Sequence, residues 1–351
     1  MNSLELLKKL VKMDTSTVDK ANECIEFCQV YLKFFDIDSE IIVSNQKKSL
    51  VATVGSGDKC IVLNGHIDVV SADSSQFEPY VEDNLFYGRG ASDMKAGVVA
   101  IIHAFIKMKD ASNVKVMLQL VSDEEVGGHN GTKVLVEKGY TGDFVICTEP
   151  TQMAISTRAK GILQVDMITY GKAAHGSRPW LGENAIEKAY ENFKKIKSLP
   201  ILKIGDDIFE NSSVNLSISQ GGDIYNRVPD YHKMGIDIRY VPHLDPEEIL
   251  NDIRNVIEGD VQVVQMEPGI LVSTDNFYID RIKEAFKRAH YEDVKIFGQH
   301  GSSDVRFFST LNIPAIEVGP KGGNWHGKDE YVDLETLELL ENLLVDFLMN
   351  L

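Results

Sequence analysis

Short apolar runs that end in acid or histidine constrain this chain more than any other feature. Residues 59–64, 114–122 and 144–147 read as strands with little polar interruption. Residues 95–108 and 131–138, which separate them, have helical apolar spacing. Strands this apolar are buried on both faces, and their alternation with helices predicts an α/β sheet covered on both sides. Upstream, residues 3–13 and 21–35 are expected as helices. Residues 37–43 and 51–54 are expected as the strands of a hairpin.

The pattern changes near Gly161. Strand spacing at 162–170 is followed by a helix at 184–197, strands at 212–220 and 231–240, a helix at 246–257 and a strand at 261–266. This β-α-β-β-α-β order is the split, ferredoxin-like unit, a self-sufficient domain of about a hundred residues. After Pro268-Gly269 the α/β character returns, with helices at 279–290, 304–310 and 334–348 and strands at 294–297 and 315–318. The expected layout is one α/β domain, 1–160 and 269–351, interrupted by a smaller domain at 161–268. A chain of 351 residues is long for one core and suits two.

Composition removes several partner classes. The formal net charge of −17 disfavours nucleic acid and anionic membrane alike. The first ten residues read as an amphipathic helix rather than a signal peptide. The most apolar stretch, 98–108, is too short to span a bilayer and carries His103 and Lys107. The four cysteines, Cys24, Cys28, Cys60 and Cys147, show no zinc-knuckle or disulfide spacing. A cytoplasmic location is expected.

The chemistry gathers where strands end. Asn64-Gly65-His66-Ile67-Asp68 closes one strand, and positions two apart on a strand share a face, so His66 and Asp68 point together. A metal-bound histidine usually donates its other ring N–H to a carboxylate, yet alone this tripeptide reads better as a turn His with a solvated Asp. Tyr87-Gly88-Arg89-Gly90-Ala91-Ser92-Asp93 is a Gly-rich loop opening a helix, and Asp93 alone could be a helix cap. Ser122-Asp123-Glu124-Glu125-Val126-Gly127-Gly128 packs three acids at the end of a buried strand, where like charges repel unless cations neutralise them. Cys147-Thr148-Glu149-Pro150 ends a strand in Glu. Gly322-Gly323-Asn324-Trp325-His326-Gly327 sets a His in a Gly-rich loop. Taken together, these positions offer imidazole and carboxylate, the ligands that suit zinc, cobalt or manganese.

The ordered set Asn64-Gly-His-Ile-Asp68, Tyr87-Gly-Arg-Gly-Ala-Ser-Asp-Met-Lys95, Asp123-Glu-Glu-Val-Gly-Gly128, Glu149-Pro150 and His326-Gly327 resembles the acetylornithine deacetylase / succinyl-diaminopimelate desuccinylase family of metallopeptidases. The resemblance covers nearly the whole chain. It implies a zinc-peptidase-like mixed-sheet catalytic domain with an inserted ferredoxin-like lid and dimerisation domain. It implies His66 and Glu149 on one metal, Glu125 and His326 on the other, and Asp93 bridging. Glu124 becomes the general base and Asp68 the residue that orients His66. The bond Asp93–Met94 is expected to be cis.

For the lid, the resemblance assigns His175, in Lys172-Ala-Ala-His-Gly-Ser-Arg-Pro179, as an oxyanion donor to the partner subunit of a homodimer. Asn226 and Arg239 contact substrate, Arg239 by gripping a carboxylate, a task that suits guanidinium. Ser302, in Gly301-Ser302-Ser303-Asp304, lines the site. Without the resemblance, His175 is an ordinary loop His and Arg239 a strand-face charge. His103, His129, His232, His243, His290 and His300 match no motif, and Trp180 and Trp325 read as packing.

The expected activity is hydrolysis of the amide bond of a small N-acylated amino acid by two divalent ions, zinc by default, with a small exopeptidase or dipeptidase as the alternative. In relatives, Glu at the position of Glu149 accompanies deacylases and carboxypeptidases. A non-catalytic binding protein on this fold would be signalled by a lost ligand or base, and none is lost.

Overall fold

The structure is a computed structural model, and it describes residues 1–291 and 294–351. The chain divides into two compact units. One comprises Met1–Thr157, Val272–Phe297 and Ser303–Leu351; the other comprises Arg158–Leu271 and Gly298–Ser302. In sequence, the second interrupts the first. Residues 298–302 fall in the second unit, where the sequence pattern had kept them with the surrounding domain.

The first unit is built on a mixed sheet. Seven of the sheet's nine strands run in the order Ser39–Ser44, Lys47–Gly55, Val114–Val121, Lys59–His66, Phe144–Cys147, Ala315–Glu317 and Ile155–Ala159. The four strands from Val114–Val121 to Ala315–Glu317 are mutually parallel, and the flanking pairs are antiparallel. Ile61, Val62, Leu63, Phe144, Val145 and Ile146 are all 0% exposed. Neighbours on a strand point to opposite faces, so both faces are covered, as the apolar runs predict. The helix Ala96–Lys107 packs on Lys59–His66 and Val114–Val121 and against the closing helix Leu334–Met349. Gly65 makes this approach possible: a Cβ there would lie 3.1–3.2 Å from Met94, Val98 and Ile101 side chains.

A second, small sheet was not expected from the sequence. Gly322–Gly323, Tyr331–Asp333, Leu85–Tyr87 and Tyr80–Glu82 pair antiparallel in that order. It ties the loop before Asp93 to the hairpin that carries His326.

The second unit is the split βαββαβ arrangement. Gly161–Tyr170, Ala185–Lys197, Ser213–Gly221, Tyr231–Tyr240, Pro246–Val256 and Asp260–Glu267 follow one another. The sheet order is Ser213–Gly221, Tyr231–Tyr240, Gly161–Tyr170, Asp260–Glu267, antiparallel throughout. Alternate residues Leu163, Val165 and Met167, and Met234, Ile236 and Ile238, face Ala189 and Ile196 of one helix and Ile249 and Ile253 of the other. Asn184 and Asp245 cap these helices through main-chain N–H groups of Ile186 and Glu247. Among the described residues, no helix is long and apolar enough to cross a membrane.

Candidate metal centre

Parallel register decides which side chains meet. Asn64 pairs with Cys147 on one side of its strand, and His66 pairs with Val121 on the other. Glu149 lies two residues beyond Cys147, as His66 lies two beyond Asn64, so the two end level. Past Val121 the chain turns through Ser122-Asp123 into Glu124 and Glu125. Three adjacent carboxyl ends thus present His66, Glu124, Glu125 and Glu149 on one rim, the usual place for a ligand in such a sheet.

Two loops complete the cluster. Gly90 takes a left-handed φ of +76°, and a Cβ there would lie 2.5 Å from Val69 Cγ1, so the turn requires glycine. It leads to Asp93, whose bond to Met94 is cis. His326 sits between Gly322–Gly323 and Tyr331–Asp333, with φ +59°. Asp93 Oδ1 is 3.3 Å from His66 Nε2, and Asp93 Oδ2 is 3.4 Å from His326 Nε2. Behind each imidazole stands a further carboxylate: Glu149 Oε1 is 3.7 Å from His66 Nε2, and Glu125 Oε1 is 3.3 Å from His326 Nε2. One donor atom each from His66, Asp93 and Glu125 fits within 4.8 Å.

The electrostatics suit cations. Burial pushes the carboxyls of Glu124, Glu125 and Glu149 upward, against the pull of His66. Burial also acts on Asp93, but the two facing imidazoles outweigh it and hold that carboxyl well below the usual range. Burial opposes protonation of His66, yet Glu149, Asp93 and Asp68 together raise it. The hydrogen bond to Asp93 lifts His326 to about 9. Burying this many acids together favours a cation among them or protons on some of them.

His66 supplies the test of fit. Its Nδ1 lies 3.0 Å from the main-chain oxygen of Asp68, which anchors one ring proton there and leaves Nε2 as the nitrogen that would serve a cation. His66 Nε2 is fully buried without a hydrogen-bond partner and faces two carboxylates. A buried imidazole nitrogen without a hydrogen-bond partner, among carboxylate oxygens, is a position a divalent cation would satisfy. Two imidazoles and three carboxylates match zinc, cobalt or manganese chemistry.

Asp68 departs from the expectation in one respect. Its carboxylate stands 3.6 Å from His66 Nδ1, and the close contact is made by its main-chain oxygen. The carboxylate instead accepts the main-chain N–H groups of Glu124, at 3.3 Å, and Glu125, at 3.0 Å. Burial raises this carboxyl to about 6, against the pull of His66 and the Glu125 N–H.

His175, Asn226, Arg239 and Ser302 belong to the second unit. There, Gly176 N donates to Asn226 O at 2.7 Å, so the exposed His175 loop lies beside Asn226. His175 Nδ1 is 2.8 Å from Ser177 Oγ. Arg239 makes a two-point contact with Asp237, at 2.9 and 3.1 Å, and Ser302 Oγ is buried without a hydrogen-bond partner. Elsewhere, His103 bonds Ser3, Tyr31 and Glu341, and Trp325 Nε1 donates to Ser92 Oγ at 3.1 Å.

Glu330 and Arg89 were passed over in the sequence. Glu330, 1% exposed, accepts from Arg89 and from the main chain of Gly90, Ser92 and Asp93. The one available signal was an acid four residues after His326 in a Gly-rich loop, and nothing local separates it from the exposed Asp329 beside it.

Residues 62–350 match the family described as peptidase family M20/M25/M40. A Staphylococcus aureus protein named probable succinyl-diaminopimelate desuccinylase is 27% identical over an alignment of 396 positions, covering 98% of this chain and 97% of that one. The crystal structure of aminopeptidase PepT from Bacillus cereus superposes with a TM-score of 0.84 at 19% identity, covering 99% of this chain and 97% of that one. A Bacillus subtilis structure described as a dinuclear metal binding peptidase of the M20 family superposes with a TM-score of 0.72 at 16% identity, over 99% of this chain and 97% of that one. The chain belongs to peptidase family M20/M25/M40 and is a metal-dependent hydrolase of amide bonds.

Proposed function

We propose that the chain removes the acyl group from a small N-acylated amino acid, using two divalent ions, zinc by default. His66 and Glu149 would hold one ion, Glu125 and His326 the other, and Asp93 would serve both. One observation carries this reading: each oxygen of the Asp93 carboxylate faces a different imidazole, and a separate carboxylate faces each imidazole in turn. The desuccinylase name of the S. aureus relative favours an acylated amino acid as substrate.

Bound ions supply a polarised scissile carbonyl and an acidified water. Glu124 accepts the proton of the attacking water at its carboxylate and delivers it to the departing amine. Asp68 keeps Glu124 and Glu125 in place through their main-chain N–H groups. The second unit's roles rest on the family resemblance: His175 as oxyanion donor to the partner subunit of a homodimer, Asn226 and Arg239 as carboxylate binders, Ser302 as lining. The strand Ser213–Gly221 ends its sheet with exposed residues along its length, which suits pairing with a second copy. Four free thiols fit work in the cytoplasm.

Metal analysis combined with a screen of N-succinyl, N-acetyl and N-formyl amino acids against dipeptides tests the reading. Turnover confined to acylated amino acids supports it. Turnover confined to dipeptides replaces it with the exopeptidase alternative on the same site.

A further inference from the structure

We infer that Glu330, working with Arg89, is a positioning residue that sets the distance between Asp93 and His326 and thereby the affinity of the centre for its second cation. The inference rests on the reading of these two residues as ligands. Glu330 touches neither ligand side chain; it acts on the two loops that carry them.

Each oxygen of the Glu330 carboxylate is spoken for. Oε2 accepts from Arg89 Nη1 at 2.6 Å and from Gly90 N at 2.9 Å. Oε1 accepts from Ser92 N and Asp93 N, both at 3.0 Å. The second of these donors is the main chain of the bridging residue itself. Arg89 then reaches to the other loop: its Nη2 donates to Gly327 O, the residue after His326, at 2.9 Å. Gln76 Nε2 donates to the same oxygen at 2.9 Å, and Trp325, the residue before His326, donates to Ser92 Oγ at 3.1 Å. The Glu330 main-chain oxygen receives Gly88 N at 3.0 Å. Every one of these bonds joins the segment 76–93 to the segment 325–330.

A buried ion pair alone is weak evidence for stability, because desolvation offsets its attraction. Here the pair carries main-chain bonds to the ligand Asp93 and to the neighbour of the ligand His326. Two ligands that must share one cation need their carriers fixed relative to each other, and outer partners of this kind typically govern metal affinity. A glutamine at 330 would keep the size and lose the charge, and would turn an amide N–H₂ toward main-chain donors.

The test is cobalt titration of the full chain after chelation, followed by visible absorbance, with unfolding of the metal-free protein measured in parallel. Wild type is expected to take up two ions. Glu330→Gln is expected to bind the second ion about 10–100-fold more weakly, with an altered cobalt spectrum. Arg89→Lys, which keeps the charge but loses the two-headed reach, is expected to show the same defect in milder form. Should Glu330→Gln fail to fold, Arg89→Lys decides the matter alone. Folded variants that bind both ions with wild-type affinity and spectrum overturn the inference, even if their metal-free stability has dropped. A wild-type chain that takes up no cobalt overturns the ligand assignment instead.

Discussion

Asp68 holds Glu125 by its main chain: the Asp68 carboxylate accepts the Glu125 N–H at 3.0 Å, with the Glu124 N–H alongside at 3.3 Å. One strand end thus fixes the next. Since His66 Nδ1 already has the main-chain oxygen of residue 68, removing the carboxylate should disturb the acid turn more than the imidazole. Asp68→Ala is therefore expected to lower kcat about 10–100-fold in the metal-loaded enzyme, with a smaller loss of cobalt affinity. Asp68→Asn, which retains one acceptor, should lie between. A loaded Asp68→Ala enzyme with normal kcat and weak metal binding would mean that the carboxylate works through His66 after all.

Glu124 is spared from the close imidazole contacts that Asp93, Glu125 and Glu149 make, which suits a proton carrier. Glu124→Gln should keep its full metal content while activity falls by about 10²–10⁴-fold. Metal analysis and steady-state rates on the same preparation check this. Normal turnover would remove Glu124 from the mechanism.

Much of this cluster was legible in the chain because apolar runs stop abruptly near its imidazole and carboxylate side chains. Lys59–His66 ends in its histidine, and Val114–Val121 and Phe144–Cys147 are followed within two residues by Asp123 and Glu149. The split βαββαβ block was legible for a similar reason, since each of its elements is long enough to show its own period. The small sheet was not. Leu85–Tyr87 and Tyr331–Asp333 are three residues long each, too short for any period, and their pairing spans most of the sequence. Glu330, and the bonds that the Asp68 carboxylate makes to the acid turn, were missed on the same ground: main-chain N–H groups leave no mark in the side-chain pattern.

The helix Ala96–Lys107 lies close against the end of the Glu149 strand. A Cβ on Gly97 would fall 2.1 Å from Thr148 O and 2.7 Å from Thr148 Cβ, a clash with main chain that no rotamer change relieves. Gly97→Ala is expected to cost about 1–3 kcal/mol and to weaken metal binding, since Glu149 is the next residue. Thermal unfolding with and without metal measures both. An unchanged Tm would mean the helix can shift freely.

Away from the centre, Glu341 joins the first helix to two others. Burial works against its charge, but bonds from His103 Nδ1 at 3.1 Å, Lys107 Nζ at 2.7 Å and Ser3 Oγ at 2.6 Å outweigh this and lower the carboxyl to about 2. A depressed folded pKa stabilises above the unfolded value, about 4.3, and the benefit fades as pH falls towards 2. Glu341→Gln should therefore cost about 1–3 kcal/mol at pH 5 and progressively less at pH 3 and below. Urea midpoints at the two pH values provide the check; a pH-independent difference would contradict the charge-based origin.

The central claim is that Asp93 is shared by two cations. Metal stoichiometry of the purified, folded chain tests it most directly, compared with Asp93→Ala. The account predicts two divalent ions per chain in the wild type and loss of tight binding at both positions in the variant. A wild-type chain that binds one ion or none, or an Asp93→Ala chain that still binds two tightly, would contradict it.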